Sequence, residues 1–225
     1  MRTDVTFSPA FAMATIHLDQ GEAVKAEAGA MMAMSAGVEI QTSTQGGVLK
    51  GLKRSVLGGE SFFMNTFRAS QPESHVVVAP TLPGDIVTWA MDGQTIYLQS
   101  GAYLASAESI DIDTKWGGSK TFFSREGLFM LKCSGSGELV VSSYGAIVAM
   151  DLEPGQVYIV DSGHMVGWAE GVQYTVRKAG SWKSTILGGE GLVVELTGPG
   201  RIYLQTRSED AFLDWLIPKL PSKSS

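Results

Sequence analysis

The apolar positions of this chain fall in short runs and two-residue alternations, the period of strands and not of helices. Ser109-Ile110-Asp111-Ile112-Asp113 alternates residue by residue, as a half-buried strand does. Thr95-Ile96-Tyr97-Leu98-Gln99, Glu138-Leu139-Val140-Val141-Ser142, Val157-Tyr158-Ile159-Val160 and Arg201-Ile202-Tyr203-Leu204-Gln205 are rich in β-branched and aromatic residues, and Gly or Pro bounds most of them. Val38-Glu39-Ile40, Phe129-Met130-Leu131-Lys132-Cys133 and Val172-Gln173-Tyr174-Thr175-Val176 extend the set. Helical spacing emerges at the C-terminus. Ser208 is placed to cap a helix, Glu209 and Asp210 suit its positive end, Phe212, Trp215 and Leu216 form a stripe, and Pro218 stops it. The pattern predicts an all-β body over residues 1–206, a helix over 207–217 that docks its stripe on the body or on a neighbouring subunit, and a disordered tail over 218–225.

The strand pattern also recurs. Glu27-Ala28-Gly29-Ala30-Met31, Gln99-Ser100-Gly101-Ala102-Tyr103 and Asp161-Ser162-Gly163-His164-Met165 are versions of one phrase. Each follows a Leu-rich turn, with Gly21, Gly84 and Gly155 at its centre. A third marker closes each copy: Gly58-Gly59-Glu60, Arg125-Glu126-Gly127 and Gly188-Gly189-Glu190. The three glutamates lie 66 and 64 residues apart. A near-constant period marks one supersecondary unit used three times, and a lone small sheet needs partners to bury its apolar face. One all-β domain of three units is expected, over 18–80, 81–150 and 151–206, in a pseudo-threefold arrangement.

Composition agrees with that reading and narrows the chemistry. With 225 residues and 44% hydrophobic content the chain can bury a core without metal or disulfide staples. Its 27 glycines against a single asparagine leave glycine to supply the tight corners. Cys133 is alone, so no intrachain disulfide or cysteine-based zinc site arises, and a buried place in a strand is expected for it. Asp4 and Pro9 come too early for a secretory leader, and no apolar run reaches the ~20 residues of a membrane span. A soluble cytoplasmic protein is expected. The net charge of −6 opposes non-specific nucleic-acid affinity.

Catalytic signatures are missing. The chain has no Gly-x-Ser-x-Gly elbow, no phosphate-loop Gly-Lys, no dinucleotide fingerprint and no His-Glu-x-x-His. His17, His75 and His164 occupy unlike positions in the three copies, and His164 reads as structural. Asp111 and Asp113 share a strand face, ~6–7 Å apart, but Glu39 with Gln41 and Gln173 with Thr175 take their place elsewhere, so a solvated face is expected. Neither an enzyme nor a cofactor or metal is expected.

The connections before each Gly-Glu marker carry the remaining signal. Lys50, Lys53 and Arg54 lie in the first, Lys115, Trp116, Lys120 and Arg125 in the second, and Arg177, Lys178, Trp182 and Lys183 in the third. They hold nine of the 17 basic residues. Units related by rotation would gather them on one rim, where Lys and Arg among Trp can meet an acidic protein, anionic lipid or RNA.

Gly29-Ala30-Met31-Met32-Ala33-Met34-Ser35, Arg54-Ser55-Val56-Leu57-Gly58-Gly59-Glu60-Ser61, Leu82-Pro83-Gly84-Asp85-Ile86 and Gln99-Ser100-Gly101-Ala102-Tyr103-Leu104-Ala105 give the chain its family likeness. It resembles, over nearly its whole length, a bacterial and archaeal family of unknown function named after the fungal altered inheritance of mitochondria protein 24. The resemblance implies a β-sandwich related to the tryptophan RNA-binding attenuator protein, a shortened double-stranded β-helix whose units assemble side by side. It brings no catalytic residue and no cofactor, and an RNA link by fold alone does not carry function. A non-enzymatic scaffold or interaction protein, homo-oligomeric and with an unknown protein partner, is the expected function. The alternative is an anion-binding module for RNA or a membrane surface through the basic rim.

Overall fold

The computed structural model describes residues 1–41, 62–114, 129–178 and 192–221. Strand β1 (Arg2–Thr6) leads in and pairs antiparallel with β2 (Met13–Leu18). Then come β3 (Ala23–Glu27), β4 (Met31–Met34), β5 (Val38–Gln41), β6 (Met64–Ala69) and β7 (Ser74–Val78). In this segment β7 pairs with both β2 and β4, and β6 with both β3 and β5.

The last segment has six strands, as the first has without the lead-in β1: β12 (Ile147–Leu152), β13 (Val157–Asp161), β14 (Met165–Ala169), β15 (Gln173–Lys178), β16 (Leu192–Thr197) and β17 (Gly200–Gln205). Here β17 pairs with β12 and β14, and β16 with β13 and β15. The middle segment makes the corresponding pairs with two long strands, β8 (Ile86–Gln99) and β11 (Met130–Ser142), plus β9 (Tyr103–Ala107) and β10 (Asp111–Asp113). Strand β11 follows β8 along its whole length. A register shift between Ser134 and Ser136, where Gly135 takes a φ of +123°, lets β11 pair with β10 through its first half and β9 through its second.

Among the described residues the strand pairs are antiparallel and fall into three sheets. One follows the order β12-β17-β14-β8-β11-β9-β3-β6-β5, with β10 added beside β11; the others are β1-β2-β7-β4 and β13-β16-β15. Three apolar clusters fill the interior. Ile16, Val24, Phe67 and Val76 belong to the first, Leu98, Leu131, Cys133 and Leu139 to the second, and Trp168, Val194, Leu196 and Ile202 to the third. Burying one such large apolar side chain is worth ~1.5–3 kcal/mol. Cys133 sits in the second cluster, and burial pushes its thiol up to about 12, leaving it a core side chain.

The recurring phrases form corners of two kinds. Ser100–Ala102 and Ser162–His164 are single 3-10 turns, each leading straight into a strand. In the first phrase Gly29 takes a φ of +92° and the Ala30 amide reaches back to the Glu27 carbonyl at 3.1 Å. His164 is structural, its Nδ1 donating to the Gln205 carbonyl at 2.8 Å. Gly84 is there for close approach: a Cβ would overlap the Ser143 carbonyl, and Gly84 bridges Gly145. That contact ties the entrances of the second and third segments together.

Helix α1 (Glu209–Leu216) is capped by Ser208 Oγ, which accepts from the Ala211 amide at 3.4 Å. The same hydroxyl stands against Gly163, the glycine of the third phrase. The stripe meets the body through Phe212, edge-on to Tyr144 at 6.1 Å, while Trp215 stays 57% exposed beneath the Lys219 ammonium, 4.7 Å from its ring centre. Docking is therefore shallower than the sequence stripe implies, with contact at Phe212 and Trp215 left exposed.

Candidate functional site

Most of the expected basic rim lies outside the described residues: Lys50, Lys53, Arg54, Lys115, Trp116, Lys120, Arg125, Trp182 and Lys183. So do the markers Gly58, Gly59, Glu60, Glu126, Gly188, Gly189 and Glu190. Arg177 and Lys178 end strand β15. Arg177 Nε lies 3.0 Å from Glu195 Oε2 on the neighbouring strand, so its charge is already matched.

The site that the geometry builds is made of strand edges. Two seams join the segments, and both have the same form. At the first, β3 meets β9, with Val24, Lys25 and Ala26 opposite Ala107, Ser106 and Ala105. At the second, β8 meets β14, with Ile96, Tyr97 and Leu98 opposite Ala169, Trp168 and Gly167. Counted from the phrases at Glu27, Gln99 and Asp161, the two seams have one register. Each puts small residues at the outer two of these positions on the strand after the phrase, Ala105 and Ala107 in the first and Gly167 and Ala169 in the second, and a Cβ on Gly167 would overlap the Tyr97 carbonyl.

Seam-making strands are buried. Tyr103, Leu104, Ala105 and Ser106 of β9 are fully covered, as are Met165, Val166 and Trp168 of β14. The strands that hold these places at the two ends of the series are β4 and β13. Among the described residues β4 pairs with β7 alone and β13 with β16 alone. Every residue of β4 is exposed, Met32 to 60%, and Val157 and Ile159 of β13 are 51% and 53% exposed. These two edges also lack the charges that usually deter strand pairing. β4 reads Met-Met-Ala-Met, and the one charge of β13, Asp161, is occupied in accepting the Gly163 amide at 2.8 Å. Edge strand β1, by contrast, carries Arg2 and Asp4.

A second feature is a polar recess of about 290 Å³ lined by Glu27, Leu82, Gly101, Tyr144, Gln205 and Glu209. Gln205 organises it, its amide donating to the Gly163 carbonyl and accepting from the Tyr144 amide, both at 2.9 Å. Burial, and secondly the charge of Glu209, raise the Glu27 carboxyl to about 7. Nearby, half-buried Lys25 donates to the Ile110 carbonyl across the first seam, and desolvation lowers its pKa. No group of three His, Cys, Asp or Glu side chains is placed to hold a metal among the described residues. None of the described helices is long and apolar enough to cross a membrane.

The profile of the mitochondrial biogenesis AIM24 family matches residues 4–207, across all three segments and both seams. The chain belongs to the AIM24 family. An uncharacterized protein of Streptococcus pyogenes serotype M6 is 29% identical over 233 residues, spanning 100% of this chain and 93% of its own length. A crystal structure of a Streptococcus pyogenes protein superposes with a TM-score of 0.81 at 28% identity, covering 97% of this AIM24 chain and 99% of that one. Residue patterns alone did not single out the features above. Lys25 and Glu27 sit in an ordinary strand run, and the open state of β4 is invisible in Met31–Met34, which reads as apolar as β9 and β14. The one available signal was position: β4 and β13 are the first and last members of their series.

Proposed function

We propose that this AIM24 protein is a non-enzymatic assembly scaffold, acting in a cytoplasmic setting, whose working surfaces are strand edges and not a reactive pocket. The observation that carries this reading is the pair of exposed strands β4 and β13, which carry one charge between them, Asp161, and are set where the corresponding strands of the same chain are buried in seams. An unprotected edge is a template for another strand.

Light scattering over a range of concentration and salt tests the reading. A defined oligomer that withstands high salt is expected, because backbone pairing and apolar contact are screened little by ions. A single-chain mass at every concentration would sink it. The anion-binding alternative predicts instead salt-sensitive retention on heparin or anionic liposomes that is abolished by replacing Lys50, Lys53 and Arg54 with alanine.

A further inference from the structure

We infer that the polar recess is a binding site for a small aliphatic amine in its ammonium form. This goes beyond the scaffold reading and does not rest on it, so either can fail alone. All three segments meet at the recess. Glu27 closes β3, Gly101 belongs to the second phrase, Ser142 closes β11, and Gln205 closes β17 just ahead of Glu209 in α1. Its volume of about 290 Å³ lies at the small end of the range for ligand sites, ~300–1,000 Å³.

The polar side chains around it divide into two sets. Those of Gln205 and Ser143 are spent within the chain: the Gln205 amide is bonded at both ends, and the Ser143 hydroxyl donates to the Gly145 carbonyl at 2.6 Å. Ser142 and Glu27 are different. Ser142 lines the recess and is 2% exposed, yet its hydroxyl has no hydrogen-bond partner among the described residues. A buried hydroxyl left unbonded is costly unless a partner comes from outside the chain. The half-buried Glu27 carboxyl likewise makes no hydrogen bond or ion pair among the described residues, and it feels the charge of Glu209 in the same recess.

Charge and shape give the chemical class. No Lys, Arg or His side chain lines the recess, so the field inside it is negative. An ammonium group brings three N–H donors, which the Glu27 carboxylate and the Ser142 oxygen can accept. Pro80 and Leu82 line the same space and suit a short alkyl chain. A bare divalent cation suits it less. Calcium takes about six to eight oxygen ligands, and no three metal-ligating side chains converge among the described residues.

A proton on Glu27 competes with the ammonium. The titratable groups that face Glu27 are Glu209 of α1, Tyr144 just past β11 and the buried Tyr103 of β9. Because burial, and secondly Glu209, raise the Glu27 carboxyl to about 7, binding should weaken roughly 30-fold from pH 8 to pH 5.5 as that carboxyl takes its proton.

Calorimetric titration of the full chain with putrescine, at pH 8 and physiological salt, tests the site. One saturable site is expected. Glu27→Gln keeps the side-chain shape and should weaken binding about tenfold or more. Ser142→Ala, a second variant on a different strand, should weaken it severalfold. Glu195→Gln removes an exposed carboxylate on β16, outside the recess, and should change nothing. No saturable heat at pH 8 would overturn the proposal, as would equal affinity in Glu27→Gln and Ser142→Ala or an affinity that does not fall at pH 5.5. Equal losses in Glu27→Gln and Glu195→Gln would reduce the binding to general attraction for an acidic protein and overturn it too. Calcium chloride is the second arm. Calcium bound through Glu27 with no putrescine bound would make the recess a metal site and not an amine site.

Discussion

Strands β4 and β14 hold the same place in their segments, after a Gly-containing corner and beside the last strand, yet they lead different lives. Met165, Val166 and Trp168 of β14 are fully buried; Met31, Met32 and Met34 of β4 are exposed. Hydrophobicity does not separate them, since Met-Met-Ala-Met is as apolar as Met-Val-Gly-Trp-Ala. What separates them is a neighbour. β14 has β8 along its outer edge, and β4 has no second strand among the described residues. Burial here is a property of the seam and not of the strand.

The sharpest way to break this comparison is to mutate equivalent positions on the closed and open strands. Trp168→Ala should cost ~3–5 kcal/mol, as large-to-small changes in a core do, while Met34→Ala at the matching place on β4 should stay within ~0.5 kcal/mol in urea unfolding of dilute protein. Gly167→Val, forced against the Tyr97 carbonyl, should cost ~3 kcal/mol, and Ala33→Val next to nothing. Equal costs within either pair would mean that β4 is covered in solution even at dilution.

A smaller effect sharpens the role of the recess. The Glu27 carboxyl titrates near 7 in the fold against an ordinary value of 4.5, so the fold holds its proton more firmly than the unfolded chain. Its contribution to stability is whole below about pH 4.5 and is lost as pH rises through 7. Melting temperature should fall between pH 5.5 and 8, and Glu27→Gln should flatten that fall and raise the melting temperature at pH 8 by a few degrees, roughly 2–4 °C per kcal/mol regained. A profile unchanged by Glu27→Gln would remove Glu27 as its cause. The smallest effect belongs to the surface: Arg177→Ala breaks an exposed pair with Glu195 and should leave the melting temperature unchanged in calorimetry.

Much of the strand content was legible because alternation and β-branching are local. Val157–Val160, Arg201–Gln205 and Thr95–Gln99 all fall in strands, and Ser208 caps the helix. Ser109 and Ile110 show the limit. They continue the alternation of Asp111–Asp113 but turn the chain instead, with the Ile110 amide bonded back to the Ala107 carbonyl at 3.1 Å. The site was far less legible. A strand's pattern records which face is apolar, but its edges are backbone, identical in every residue except proline. Whether an edge is filled depends on what comes before and after in three dimensions. The charged connections drew attention because side chains announce themselves; Ala33 and Ser35 announce nothing until Gly167 and Ala169 are seen packed against β8.

The middle segment differs from its neighbours in one more respect. Its strands β8 and β11 run 14 and 13 residues and pair with each other on both sides of a single register shift, where the outer segments interrupt the same path with turns at residues 19–22, 70–73, 153–156 and 198–199. Opening that ladder means releasing many hydrogen bonds in concert, so its amides should exchange last with deuterium, and the outer segments should breathe first. The stiff beam is central and the free edges belong to the more compliant ends. A molecule so divided can let its ends adjust to a neighbour while its middle keeps its shape.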